Sequence, residues 1–218
     1  GVRGKLAGAH LRAAQGLAEA GQLKQALAAR DKAVTCGADA AALQPLNDGL
    51  ADAYVKQAVS LTLTSNYPAA LDAVESAKLL NAGLPRLSTV EAEVYVQRAR
   101  TSLKDGDRDA ASADFLLARK LDGKALGLGE LAAGLADGLV QRCEDAFTDA
   151  AFQEATAALA TVTELEPNSE SLPGLKDRLG NVLVSQGDAA LTDGSLTRVG
   201  AIIESLQTLA VLPDDQKR

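Results

Sequence analysis

The chain has no methionine and no tryptophan, and its three tyrosines and three phenylalanines make up only 3% of 218 residues. A β-sandwich or barrel fills its core with β-branched and aromatic side chains, so this scarcity argues against a sheet protein. Histidine occurs once, as His10, and cysteine twice, as Cys36 and Cys143, outside any C-x-x-C spacing. Neither a disulfide nor a metal framework follows from that set. The two thiols read as small core or boundary residues, and their scarcity points to a reducing compartment, the cytoplasm. No run of Lys and Arg exceeds two residues, and the net charge is −7. A basic footprint for a phosphate backbone is missing, so nucleic acid is not an expected partner, and the acidic balance reads as solubility. No stretch approaches 18 uncharged apolar residues, so no membrane span is expected. No signal peptide is visible; the chain opens with Gly1, so a leader or an upstream domain could have been removed.

What is present is alanine, 43 of the 218 residues, with abundant leucine. Both are strong helix formers, and small residues let helices approach closely. Gly and Pro cluster between long helix-forming segments. The composition predicts an all-α protein.

A frame recurs along the chain. Its turn position is filled by Gly21, Ser65, Gly106, Ala150 and Gly194, at offsets of 44, 41, 44 and 44. Five residues on stand Ala26, Ala70, Ala111, Ala155 and Val199; then Arg30, Val74, Phe115, Leu159 and Ile203; then Ala33, Ala77, Ala118, Val162 and Leu206. Upstream of each turn, leucines repeat at helical spacing: Leu43, Leu46, Leu50; Leu128, Leu131, Leu135; Leu172, Leu175, Leu179. In the third copy Leu84 and Leu87 hold the pattern and Glu91 interrupts it. Next come His10, Tyr54, Tyr95, Leu139 and Leu183, then the small residues Ala14, Ala58, Ala99, Cys143 and Gly187.

Each unit therefore reads as a long helix, a tight turn and a shorter helix. The expected pairs span roughly 3–34, 43–81, 86–121, 127–165 and 172–210. They are joined by "GADAAALQP", "NAGLPRLS", "DGKALGLGE" and "PNSESLPG". One hairpin cannot bury both its faces, so stacking of about five is expected to build a continuous core. Alanine columns at helix crossings should resist enlargement, Ala70 and Ala111 among them.

The columns, with Gly at the turn and the end-of-repeat run "LEPNSE", resemble the tetratricopeptide repeat (TPR) along essentially the whole chain. Two features depart from that family. The period is 41 to 44 residues rather than 34. A column that the family fills with a large apolar residue here holds Ala13, Gln57, Arg98, Arg142 and Gln186. The resemblance implies a right-handed α-solenoid of about five TPR-like hairpins. It would be a single domain over 1–218, with units near 1–40, 41–83, 84–124, 125–169 and 170–218. It also implies a concave groove lined by the first helices, where peptides dock.

No catalytic constellation is legible. His10 shares a column with Tyr54 and Tyr95, which suits packing at a helix interface. The glycines of "GLGELAAG" (Gly127–Gly134) follow no strand, so they read as a helix entrance rather than a phosphate loop. No carboxylate pair in a buried context stands out. The expectation is a non-enzyme without cofactor or metal.

On the first helices one stripe stays mostly polar: Asp52, Lys56 and Val59; Glu93, Gln97 and Arg100; Asp137, Gln141 and Glu144; Asn181, Ser185 and Asp188. Asp52, Lys56, Gln97, Arg100, Asp137, Gln141 and Glu144 are the candidate partner-binding residues; a solvated face would look the same. An adjacent column, Leu11, Val55, Val96, Val140 and Val184, is either packing between units or the apolar edge of a groove. In TPR proteins that grip chaperone tails, a basic clamp occupies this surface. Leu11 and Gln15 stand at its positions in the first unit, so that specificity is not expected.

The function expected is a scaffold that binds a partner peptide or helix in the groove. The alternative is a structural subunit of a large assembly, docking by ends and edges. A helical-repeat RNA binder ranks behind both, because the basic surface is lacking. Both ends look uncapped: the first unit has only Val2 and Leu6 on its leading face, and the last helix carries Ile202, Ile203, Leu206 and Leu209. Excision from a longer protein, or self-association through the end units, is the corresponding expectation.

Overall fold

The computed structural model describes residues 2–145 and 149–212, without the side chains of Cys143, Asp149, Ala150 and Val211. Among them are ten helices and no strand: α1 Val2–Glu19, α2 Leu23–Thr35, α3 Ala40–Leu63, α4 Tyr67–Leu80, α5 Leu87–Lys104, α6 Arg108–Leu121, α7 Leu128–Asp145, α8 Asp149–Leu165, α9 Leu172–Thr192 and α10 Leu196–Val211. Odd helices have 18 to 24 residues and even ones 13 to 17. The chain forms two compact units, Gly1–Gln97 and Arg98–Arg218, and the boundary falls inside α5.

Four of the five expected turns lie where the frame puts them, and they share one hydrogen-bond pattern. The N–H of Gly21, Ser65, Gly106 and Gly194 bonds back three residues, and the next N–H bonds back five, as in Gln22 to Leu17 and Asn66 to Leu61. This is the Schellman ending, which requires a left-handed residue. Gly21, Gly106 and Gly194 supply it freely, whereas Ser65 adopts φ 58° with a side chain attached. The fourth turn is different. Helix α8 begins at Asp149, so Ala150 is already helical rather than the turn residue, and 146–148 lie outside the described residues. Ala150 lacks the left-handed tolerance that glycine brings to this position, and as a strong helix former it extends α8 instead.

Helix starts are set locally. Asp39 accepts from the Ala42 N–H at 2.6 Å, and Asp107 from the Ala110 N–H at 3.0 Å. The first of these caps starts α3 three residues before the expected position, and the helix continues through Pro45.

Packing follows the alanine columns. Ala26, Ala70, Ala111 and Ala155 are fully buried, as are Ala33, Ala77 and Ala118, and on the odd helices Ala14, Ala58 and Ala99. The leucine stripe faces them: Leu50, Leu128, Leu131, Leu135, Leu172, Leu175 and Leu179 are buried, each side chain contributing about 2 kcal/mol by removal from water. In the first unit one cluster joins Leu23, Leu50, Tyr54, Val55, Val74, Leu80, Leu87 and Val90. In the second unit, Phe152, Leu159 and Val162 of α8 are fully buried, as are Leu128 and Leu131 of α7 and Leu179 and Leu183 of α9.

The fifth copy departs from the frame. Among the described side chains of α10, Ile202 and Ser205 are the buried ones, whereas Ile203 is exposed and Val199 and Leu206 are only half-buried. Helix α10 packs against both α8 and α9, so its inward face lies between two neighbours and is rotated by about one residue. The small partners here are glycines of α9. Gly187 approaches Ile202, and Gly180 approaches Leu209.

Candidate functional site

The candidate stripe on the odd helices is largely engaged in contacts within the chain. Asp52, half-buried, and Lys56, exposed, pair along α3 at 2.6 Å, an arrangement worth a few tenths of a kcal/mol. Gln97 is half-buried in α5. Arg100 leaves α5 to pair with Glu130 at the start of α7, and its guanidinium lies over Gly127, whose φ is +80° and where a Cβ would collide with it.

Asp137, Gln141 and Glu144 come together around one residue that sequence reasoning did not select, Arg178 of α9. Its Nη1 donates to Asp137 at 2.5 Å. Nε and Nη2 donate to the two Glu144 oxygens at 3.2 and 3.0 Å, and Nη2 also reaches the Gln141 Oε1 at 3.2 Å. A guanidinium is the one side chain whose planar fork can serve three acceptors on one helix face. The hydrogen bonds to Glu144 and then Asp137 push Arg178 still further above its ordinary range. The signal for it was available. Two carboxylates and an amide at spacings of four and three form one acidic face on α7 that needs a base from a neighbour. Arg178 lies 41 residues after Asp137, about one repeat on.

Two members of the column that departs from the TPR pattern, Arg98 and Arg142, are used in the same way. Arg98 forks onto Asp114 of α6, with Nε at 2.7 Å and Nη2 at 2.5 Å. Arg142 stands between Asp109 and Glu154 at 3.6 and 3.7 Å. Asp114 is buried, as is Glu91, whose Oε1 accepts from the Lys78 Nζ at 2.7 Å while Oε2 has no partner. One buried carboxylate paired with a cation therefore stands in each of α5 and α6. Glu91 does not leave the core at its leucine position; it carries a cation in with it. On Lys78, burial pulls the pKa down, but hydrogen bonds to Glu75 and Glu91 outweigh it and the net shift is upward.

The glycines of α7 admit neighbouring side chains. Glu166 lies against Gly129, Leu103 against Gly134 and Arg108 against Gly138. A helix entrance was expected there; close approach by these side chains is the further reason for the glycines.

In each unit a cleft opens between consecutive odd helices. In the first, Leu11, Gln15, Ala18 and Glu19 of α1 face Pro45, Leu46, Gly49 and Ala53 of α3 across about 370 Å³. In the second, Glu144 of α7 and Arg178, Asn181, Val182, Ser185 and Gln186 of α9 line about 300 Å³. The neighbouring apolar column is core in three copies, with Val55, Val96 and Val140 buried, whereas Leu11 is half-buried and Val184 is 56% exposed.

No family model matches the chain, and no curated protein is similar to it. Among the described residues, no group of three or more His, Cys, Asp and Glu could hold a metal ion. None of their helices is long and apolar enough to cross a membrane. His10 is half-buried in α1, and Cys36, at the end of α2, is a half-buried free thiol. The Cys143 side chain lies outside the described residues.

Proposed function

We propose that this chain is a non-catalytic interaction scaffold, a TPR-like α-solenoid that holds a peptide or helix of a protein partner against its odd-numbered helices. The observation that carries the reading is the cleft between consecutive odd helices in each unit, α1 with α3 and α7 with α9. Both sit on helices whose other faces are closed by buried alanine and leucine columns, so a partner would meet a preformed surface and little ordering cost. The polar stripe then acts partly as support. Arg178 and Arg100 tie successive odd helices together, and Glu144, Asn181 and Ser185 remain at the rim of a cleft.

The test uses the whole chain as bait. Partners recovered with it are compared with those recovered by Gly49→Gln and Ser185→Lys. A Cβ at Gly49 meets open space, and Ser185 is exposed, so both variants fill a cleft without disturbing the fold. A partner held by the wild type and lost from either variant supports the reading. A partner retained by both, with hydrogen-exchange protection confined to even helices, favours the structural-subunit alternative.

A further inference from the structure

On the even-helix side of the second unit lies a different surface. Helix α8 packs directly on α10 along one flank, but a cleft of about 580 Å³ separates it from α6 along the other. The floor is apolar, made by Phe115 of α6 and Ala132, Leu135 and Leu139 of α7. Ala157, Ala158 and Ala160 form the α8 wall, and Leu116, 61% exposed, stands on the α6 wall. Small side chains on one wall leave room for large ones brought by an occupant.

Both ends of this cleft carry charge. At one end Arg119 donates to the Thr161 hydroxyl at 3.0 Å and pairs with Glu164. At the other, Arg142 stands between Asp109 and Glu154. The guanidiniums are about two-thirds covered, whereas the carboxylates face water: Asp109 is 91% exposed, Glu164 65% and Glu154 49%. An incoming chain thus meets carboxylate at both ends and hydrocarbon between. Asp109 and Arg119 lie ten residues apart on α6, as do Glu154 and Glu164 on α8, which is about 15 Å at the α-helical rise.

The geometry points to a docking groove for a short amphipathic helix of a protein partner, with aliphatic residues on one face and Lys or Arg at both ends. This surface is distinct from the odd-helix clefts and does not depend on their binding anything. The aliphatic face fills the space over Leu135 and Leu139 along the alanine wall. The basic ends meet Asp109 and Glu154 on one side and Glu164 on the other, which fixes register more than it adds affinity.

The probe is a designed helical peptide of about 15 residues with leucines on one face and lysines at both ends. It is compared with an isomer carrying glutamate in place of lysine, both labelled for fluorescence anisotropy with the full chain. The lysine peptide should bind at least about ten-fold more tightly than the glutamate isomer. Ala157→Arg, which fills the groove from one exposed wall position, and Leu116→Gln, which removes the apolar lip of the other, should each weaken it by about ten-fold or more. Both positions are exposed, so helical circular dichroism should be unchanged. Equal binding of the two peptides, or unchanged binding to both variants, would overturn the proposal. So would a wild-type dimer that Ala157→Arg converts to monomer, because the occupant would then be a second copy of the chain.

Discussion

Helices α5 and α7 occupy the same place in the repeat and are held by different means. Helix α7 presents Leu131 and Leu135 to the core and three glycines, Gly129, Gly134 and Gly138, to its neighbours, and among the described residues its buried face is hydrocarbon. Helix α5 has Glu91 where α7 has Leu135, and Arg98 where α7 has the more loosely paired Arg142. Glu91 and Asp114 are buried, each against a cation that remains about a third exposed. The difference teaches that a repeat column is a demand for filled volume and satisfied charge. Leucine meets that demand alone; glutamate meets it only with Lys78 beside it. Burying such a pair costs desolvation that its attraction repays incompletely, so it defines a geometry more than it stabilises.

The largest effect should come from removing hydrocarbon in α7. Leu135→Ala should lower stability by about 3 kcal/mol, read as a shift of the denaturation midpoint with an unchanged slope. A loss under about 1 kcal/mol would mean that the site collapses and that this column is less tightly packed than its burial indicates.

Next comes the fork in the third hairpin. Asp114→Ala should cost about 2 kcal/mol, because it leaves the Arg98 guanidinium without its carboxylate; partial exposure of Arg98 keeps the loss below that of a fully buried pair. The double variant Arg98→Ala/Asp114→Ala should be less damaged than the sum of the two single variants, and strict additivity would show that the pair is not coupled.

The sharpest contrast is the same column with the opposite sign. Glu91→Leu should be neutral or stabilising by about 1 kcal/mol, since it replaces an incompletely satisfied buried carboxylate with the residue that the other copies use. Lys78 keeps Glu75 as a partner at 2.7 Å. A clear loss of stability in thermal melts would show that the ion pair contributes more than leucine packing can.

The smallest effect is alkaline. The folded-state pKa of Lys78 is raised, so its contribution is fully present below the ordinary lysine value, about 10.4, and is lost as pH rises through the higher folded value. Burial raises Tyr54 in the same direction. Between pH 9 and 11 the fall in stability should be about 0.5 kcal/mol smaller in Lys78→Met than in the wild type, the scale of a partly exposed pair. Identical pH profiles would remove Lys78 from the account.

Much of the candidate surface was legible as a pattern and not as contacts. Asp137, Gln141 and Glu144 were placed on one helix face by spacing alone, and they share one environment. What they touch is Arg178, which no local rule selects, because the partner sits on a helix one repeat away. The apolar groove between α6 and α8 left no mark in the sequence at all. Its α8 wall is alanine, exposed at Ala157 as at Ala28 and Ala113 in earlier copies, and only the spacing between α6 and α8 opens a cleft beside it.

The sequence by itself determined the helices, the tight turns and the columns. Those depend on interactions within a few residues: helix propensity, capping by Asp39 and Asp107, left-handed glycines, and a hydrophobic period that must face inward. It did so even where the residue was imperfect, as at Ser65. It failed at Ala150, where a good helix former extended α8 in place of a turn. Tertiary structure decided which charges are paired, that Glu91 stays inside, which face of α10 is buried, and where clefts open. Each of these depends on the distance and angle between helices that are remote in the chain. That geometry is set by the joint packing of whole faces, and no single segment encodes it.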